Sequence, residues 1–278
     1  MSETIYSSES QLRSPRRFLR ETVKDMRASR EVAWHLFTRN LRSQYRQSFL
    51  GYLWILLPPV ATMLLWVYLN WSKTLAIGHT EIPYPVYVLT GTMLWQLFVD
   101  ALYCPINQLG ASRNLITKVR LPHEAILFSG LGVIVFNFVV RFVILFAALL
   151  VFHCPITSGL LLVPSGVLIL ALLGLTIGLF LTPIGLLYQD ISLGLTMVMS
   201  FAFFITPIVY PVPTKWPASL LATLNPVTPP LETTRNWLAL GPVAPADGFY
   251  AVTAVTLVLF VVAWFAYRLA TPHFVARL

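Results

Sequence analysis

Asp100 and Arg141 carry the charges that fall inside long apolar surroundings in this sequence, where an ionised group is expensive enough to imply a task. Their chemistry would be binding rather than bond breaking. Arg141 either lies on a polar pathway that meets an anionic substrate or is a buried structural charge satisfied by neighbouring carbonyls. The depths of the two differ by about two helical turns, so the sequence alone does not pair them. Catalytic constellations are lacking. No Lys follows a Gly, which removes the phosphate-binding loop that ends in Gly-Lys. There is no His pair at metal-ligand spacing and no nucleophile elbow. Sugar-transferring membrane enzymes rely on acidic pairs, and the acids near cytosolic span ends, Glu124 and Asp190, are far apart in sequence. Cys104 and Cys154 have no partner motif and read as small packing residues, not a disulfide or a metal site.

The elements that must position these charges are membrane helices. Between Arg46 and Lys73 lie 26 residues without Asp, Glu, Lys, Arg or His. Similar gaps occupy 82–99, 142–189 (interrupted only by His153), 191–214 and 248–267. About 20 apolar residues in a helix cross a ~30 Å hydrocarbon core with every backbone group satisfied. Charged residues make up 11% of the 278, where globular proteins carry roughly 25%. The expected fold is an all-α integral membrane protein with six transmembrane helices, at about 49–71, 83–108, 125–152, 158–187, 191–212 and 248–269. The 48-residue run 142–189 must hold two of them, with Pro155, Ser158 and Gly159 marking the turn.

Around this 49–269 domain, residues 1–29 read as a polar cytosolic arm, 270–278 as a cytosolic tail, and 30–48 as an amphipathic helix. With Phe37 at zero on a ~100° wheel, Ala33, Trp34, Leu41 and Tyr45 share one face, while Leu36 lies off it. Arg39, Arg42 and Arg46 share the opposite face. Such a helix suits the headgroup layer, against membrane lipids; the alternative, a soluble surface helix packed on a cytosolic domain, has no such domain here to pack on. Ten of the 19 Lys and Arg lie in 1–48, and an inside N-terminus adds Arg113, Lys118, Arg120, Arg268 and Arg277 to that side. Fifteen then stand inside against three outside, Lys73, Lys215 and Arg235, which orients both termini to the cytosol. The net charge of +8 therefore fits an anionic membrane surface, not nucleic acid. No signal peptide is expected, because the first stretch is polar for nearly 50 residues. The connection 213–247 carries seven prolines and two short apolar patches, Ala218–Leu224 and Leu231–Leu240. These read as a re-entrant helix pair between spans 5 and 6, with an ordinary outer loop as the alternative.

Several ordered segments carry a resemblance: Arg39 to Trp54; Pro83 to Gly91 with Leu94-Trp95; Asn114 to Pro122; Tyr188-Gln189-Asp190; Thr206 to Pro211; and Leu224-Asn225-Pro226 with Arg235. Together, over about 35–240, they resemble the bacterial polysaccharide and polyol-phosphate export permeases. These are membrane subunits of type-2 ABC exporters, including those for O-antigen and teichoic acid. Two departures stand out. Leu121 precedes Pro122 where the family usually has an aromatic residue, and Gln189 replaces a common arginine. The resemblance implies a non-enzymatic transport subunit in the bacterial cytoplasmic membrane. It would work as a homodimer with two nucleotide-binding ATPase subunits that hold ATP and Mg, and would itself hold no cofactor. The cargo would be a glycan on an undecaprenyl pyrophosphate carrier. Asn114, Lys118, Arg120, Pro122 and Glu124 would couple to the ATPase, and the 30–48 helix would help seat it. Trp66, Tyr68, Trp95, Phe98, Phe201, Phe203 and Phe204 are candidates to line the glycan channel, or else pack within the bundle. Asn225, Pro226 and Arg235 would belong to an outer gate. A teichoic-acid, capsule or non-glycan cargo is the alternative, and a membrane-embedded polyprenyl-sugar enzyme the remote one.

Overall fold

A computed structural model describes residues 30–44, 48–74, 77–112 and 123–275 of the chain. The described residues are helical with connecting turns: α1 (30–44), α2 (Leu53–Trp71), α3 (Tyr84–Ala111), α4 (His123–Val151), α5 (Val163–Leu187), α6 (Gln189–Ile205), α7 (Ala218–Leu224), α8 (Thr228–Ala239) and α9 (Phe249–Val275). A 3-10 turn, Ser158–Leu161, leads into α5. The arm 1–29, Arg46, and the loop residues Asn114, Lys118, Arg120 and Pro122 lie outside the described residues. Helix α9 runs to Val275, past the expected boundary at 269.

Five of these helices, α2, α3, α4, α5 and α9, are long and apolar enough to cross a membrane. The fifth expected span, 191–212, is shorter than expected. Helix α6 has 17 residues, at the lower limit for crossing. Pro207 explains the early stop: it disfavours helical backbone at the residue before it, and Thr206 is extended at φ −79°, ψ 135°. Residues 206–210 then turn back onto the bundle instead of prolonging the helix.

At the centre α3 packs on α5. Gly174 and Gly178, four residues apart, bring α5 so close that a methyl on either would strike the carbonyl oxygen of Phe98 or Leu102. Small residues at this spacing let helix backbones meet where lipid supplies no hydrophobic drive for helix association. Thr176 and Thr182 hide their hydroxyls on the carbonyls of Leu172 and Gly178, at 2.7 and 2.6 Å. Helix α3 is buried along most of its length, whereas α2, α4 and α9 expose broad apolar faces.

Helix α1 docks on one end of this bundle by an arc that shares Ala33 and Phe37 with the expected stripe but takes in Leu36 and leaves out Trp34. Leu36, off the expected stripe, is buried with Ala33 against Leu109, Ala125, Ile126 and Tyr267. Trp34, on the stripe, is 63% exposed. The contact arc is thus rotated toward Leu36, because a tertiary surface, not the membrane plane alone, selects the face. Arg39 and Arg42 point away and are exposed.

Candidate functional site

Helix α8 is the anomaly from which a site can be built. Its sequence is polar (Thr228, Glu232, Thr233, Thr234, Arg235, Asn236), yet most of the helix is buried. Such a segment survives inside protein only if its polar groups find partners. Pro229 and Pro230 occupy the first turn, where a missing N–H loses no helical bond. Thr234 donates to the Pro230 carbonyl at 2.6 Å, and Trp237 Nε1 to the Val243 carbonyl at 2.9 Å. Thr233 Oγ1 accepts from the Ala246 N–H at 3.0 Å. Gly241 ends the helix at φ +115°, with its N–H on the Asn236 carbonyl.

Arg235 is the centre of the arrangement and is 2% exposed. Its Nη2 donates to the carbonyls of Ile208 and Pro207 at 2.8 and 3.2 Å, and its guanidinium lies 3.8 Å from the centroid of the Tyr87 ring. Burial lowers its pKa from the ordinary arginine value, opposed by Tyr87 and Glu232. Burial likewise raises Glu232, with Arg235 acting in the other direction. Tyr84 donates to the Val209 carbonyl at 3.0 Å and Tyr87 to the Tyr210 carbonyl at 3.0 Å. Gly91, one turn beyond Tyr87, leaves the clearance: a methyl there would collide with the Ile208 carbonyl and the Arg235 guanidinium. Tyr84, Tyr87 and Gly91 stand at i, i+3 and i+7, one face of a helix. Asn225 closes the knot from the other side. Its Nδ2 donates to Thr206 Oγ1 at 2.7 Å and its Oδ1 accepts from the Val227 N–H at 3.0 Å. Pro226, exposed, holds Asn225 in the extended conformation that this requires. Four backbone carbonyls after α6, those of residues 207–210, are therefore held by side chains of α3 and α8, and the Thr206 hydroxyl by Asn225 in the turn before α8.

The intramembrane charges meet directly. Arg141 Nη1 of α4 donates to Asp100 Oδ2 of α3 at 2.7 Å, and Gln96 Nε2 occupies Asp100 Oδ1 at 2.8 Å. The long arginine side chain spans the difference in depth. With its charge answered, Arg141 is engaged by the bundle itself, and its Nε is buried without a partner.

The aromatic candidates divide. Trp95 and Phe98 are buried in the core, with ring centroids 5.4 Å apart, and Phe203 packs on Trp95 at 6.2 Å. Trp66 is half-buried against the same core. Tyr68, Phe201 and Phe204 are exposed on α2 and α6. At the other end of the bundle Glu124 is buried and faces Arg268 of α9 at 3.6 Å. Among the described residues no group of His, Cys, Asp or Glu is placed to hold a metal.

Sequence reasoning missed Tyr84, Tyr87 and Gly91 as site residues. The available signal was their helical spacing in an uncharged run that begins at Ile82.

A buried, non-catalytic polar knot clasping a break between apolar helices fits a protein that moves cargo rather than transforms it. Residues 31–238 match the ABC-2 type transporter family, and the chain belongs to it as a membrane subunit. It is a permease component of a transport system, a multi-pass membrane protein, and not an enzyme. Among similar proteins is the O-antigen export system permease protein RfbA of Myxococcus xanthus, 26% identical over 240 residues, covering 85% of this chain and 91% of that protein. Two Klebsiella pneumoniae proteins of the same name are 24% identical over 194 residues, covering 68% of this chain and 73% of theirs.

Proposed function

We propose that the chain exports an O-antigen-like polysaccharide on an undecaprenyl pyrophosphate carrier across the bacterial cytoplasmic membrane. It works as a homodimer joined by two ATPase subunits, which bind ATP and Mg. The observation that carries this reading is the similarity to O-antigen permeases along 85% of the chain. The charge asymmetry, fifteen cations against three, supports six crossings with both termini cytosolic. In that orientation α1 and the segment 113–122 face the ATPase, while α7 and α8 re-enter from the outside. The burial of polar α8 supports the re-entrant placement, since irregular backbone at membrane depth must be enclosed by protein.

Mechanistically, closure of the ATPase dimer would push on 113–122, where Asn114, Lys118, Arg120 and Pro122 stand, and on α1 with Arg39 and Arg42. The arginine knot keeps the break after α6 a defined gate element with Asn225 and Pro226 at its rim. Tyr68, Phe201 and Phe204 present flat faces over which a polymer can slide; Trp95 and Phe98 brace the wall behind them. The test is reconstitution of the chain with its ATPase in vesicles, supplied with O-antigen on undecaprenyl pyrophosphate. ATP-dependent delivery of glycan to the far side is expected. Delivery of a teichoic-acid or capsule precursor instead would move the reading to that cargo, and turnover of lipid-linked sugar by the chain alone would reject it.

A further inference from the structure

The last turns of α3 carry a side chain to which two other helices are fitted. Gln108 Oε1 accepts a hydrogen bond from Asn40 Nδ2 of α1 at 3.2 Å. The same side chain lies over Gly130 of α4, where a methyl would come within 2.5 Å of Gln108 Cγ and 2.6 Å of Cys104 Sγ. Phe37 of α1 lies over Gly132, where a methyl would stand 2.9 Å from the ring. Four residues beyond Gln108, buried Ser112 ends the helix with its N–H on the Gln108 carbonyl at 3.1 Å. The chain then passes into 113–122. The remaining contacts of α1 with the bundle, through Ala33 and Leu36, are apolar and non-directional. They set its depth but allow it to slide along the surface; a hydrogen bond anchored in a notch does not.

We infer that Gln108 is a positioning residue for transport: it holds α1 in register with the end of α3, so that the two move as one body when either is pushed. This rests on the reading that this end faces the ATPase. Arg39 and Arg42, which point outward from α1, would then deliver a push to the same α3 turn that receives it from 113–122. Two inputs become one displacement of α3 and, through Gly130, of α4.

The test uses the full chain with its ATPase in vesicles and three variants. Gln108→Met fills the notch but cannot accept the bond, and Asn40→Leu removes the donor at similar volume. The exchange Asn40→Gln with Gln108→Asn restores donor and acceptor at the same combined length. Spin labels on cysteines placed at exposed His35 and Asn107 report the α1–α3 distance with and without ATP; native Cys104 and Cys154 are buried. One narrow distance is expected in the parent under both conditions. Broadening or displacement is expected in Gln108→Met and Asn40→Leu, with recovery in the exchange. Glycan moved per ATP hydrolysed should fall about fivefold in the single variants, the lower end of ordinary coupling energies. Distance distributions indistinguishable between parent and Gln108→Met would overturn the inference whether or not this glycan is transported. Failure of the parent to move it, with the distances behaving as expected, would overturn only the cargo. A fall in transport that the exchange leaves uncorrected would also reject the positioning role.

Discussion

The two ends of α3 are held by different kinds of contact. Where it begins, Tyr84, Tyr87 and Gly91 meet Arg235 and the carbonyls of residues 207–210, so side chains grip backbone. Where it ends, Gln108 meets Asn40, and nearby Glu124 meets Arg268, so side chains grip side chains. A backbone carbonyl cannot be exchanged by mutation, and a buried one left unpaired costs about 1–3 kcal/mol. Side-chain pairs at a half-exposed end can be swapped or loosened at smaller cost. The first end is therefore fixed by contacts that mutation cannot exchange, and the second by contacts that it can.

The sharpest way to break this contrast is at Gly91 and Arg235. Gly91→Val would drive a branched side chain into the Ile208 carbonyl and the guanidinium. Arg235→Met would leave two carbonyls without their donor, together worth on the order of 2–6 kcal/mol. Both variants should lose thermal stability in detergent and abolish polysaccharide export in cells. Arg235→Lys should recover only part, since an ammonium lacks the planar fork that stacks on Tyr87 while donating. Normal export from Arg235→Met would remove the knot from any account of the gate.

Midway along α3, the Asp100–Arg141 pair separates a structural charge from a substrate contact. Asp100→Asn or Arg141→Gln alone strands a buried charge and should cost about 3–5 kcal/mol. The double variant should regain most of that, as a double-mutant cycle on unfolding midpoints will show. Export should follow stability. A double variant that is stable yet fails to export would show that Arg141 serves the glycan after all.

At the α1 end the effects become smaller and depend on face. Leu36→Ala empties a buried site and should cost about 2–3 kcal/mol, while exposed Trp34→Ala should change stability by no more than about 0.5 kcal/mol. Thermal midpoints of the two variants check the rotation of α1, and equal losses would return Trp34 to the contact face.

Much of the architecture was legible from charge spacing. The starts of α3 and α9 fall within one residue of the expected 83 and 248, and α7 matches Ala218–Leu224. The uncharged run Thr206 to Val212 carries the expected fifth span past the end of α6 at Ile205. Hydropathy alone cannot distinguish an apolar helix from an apolar extended segment, although Pro207 was the available warning. A wheel centred on Phe37 sets Trp34 on the apolar stripe and Leu36 off it, whereas the bundle surface buries Leu36 and leaves Trp34 exposed.

What residue order alone dictated is the division of the chain into oily helices and charged ends. Hydrocarbon leaves an uncharged run of about 20 residues no better way to satisfy its own peptide groups. What required three dimensions is the identity of the partners. Arg235 reads carbonyls, which every residue possesses, so nothing in the sequence marks Pro207 and Ile208 as its acceptors. Arg141 finds Asp100 only because α3 and α4 pack side by side within reach of a long side chain. Backbone acceptors and neighbouring helix faces become specific only when the chain is folded.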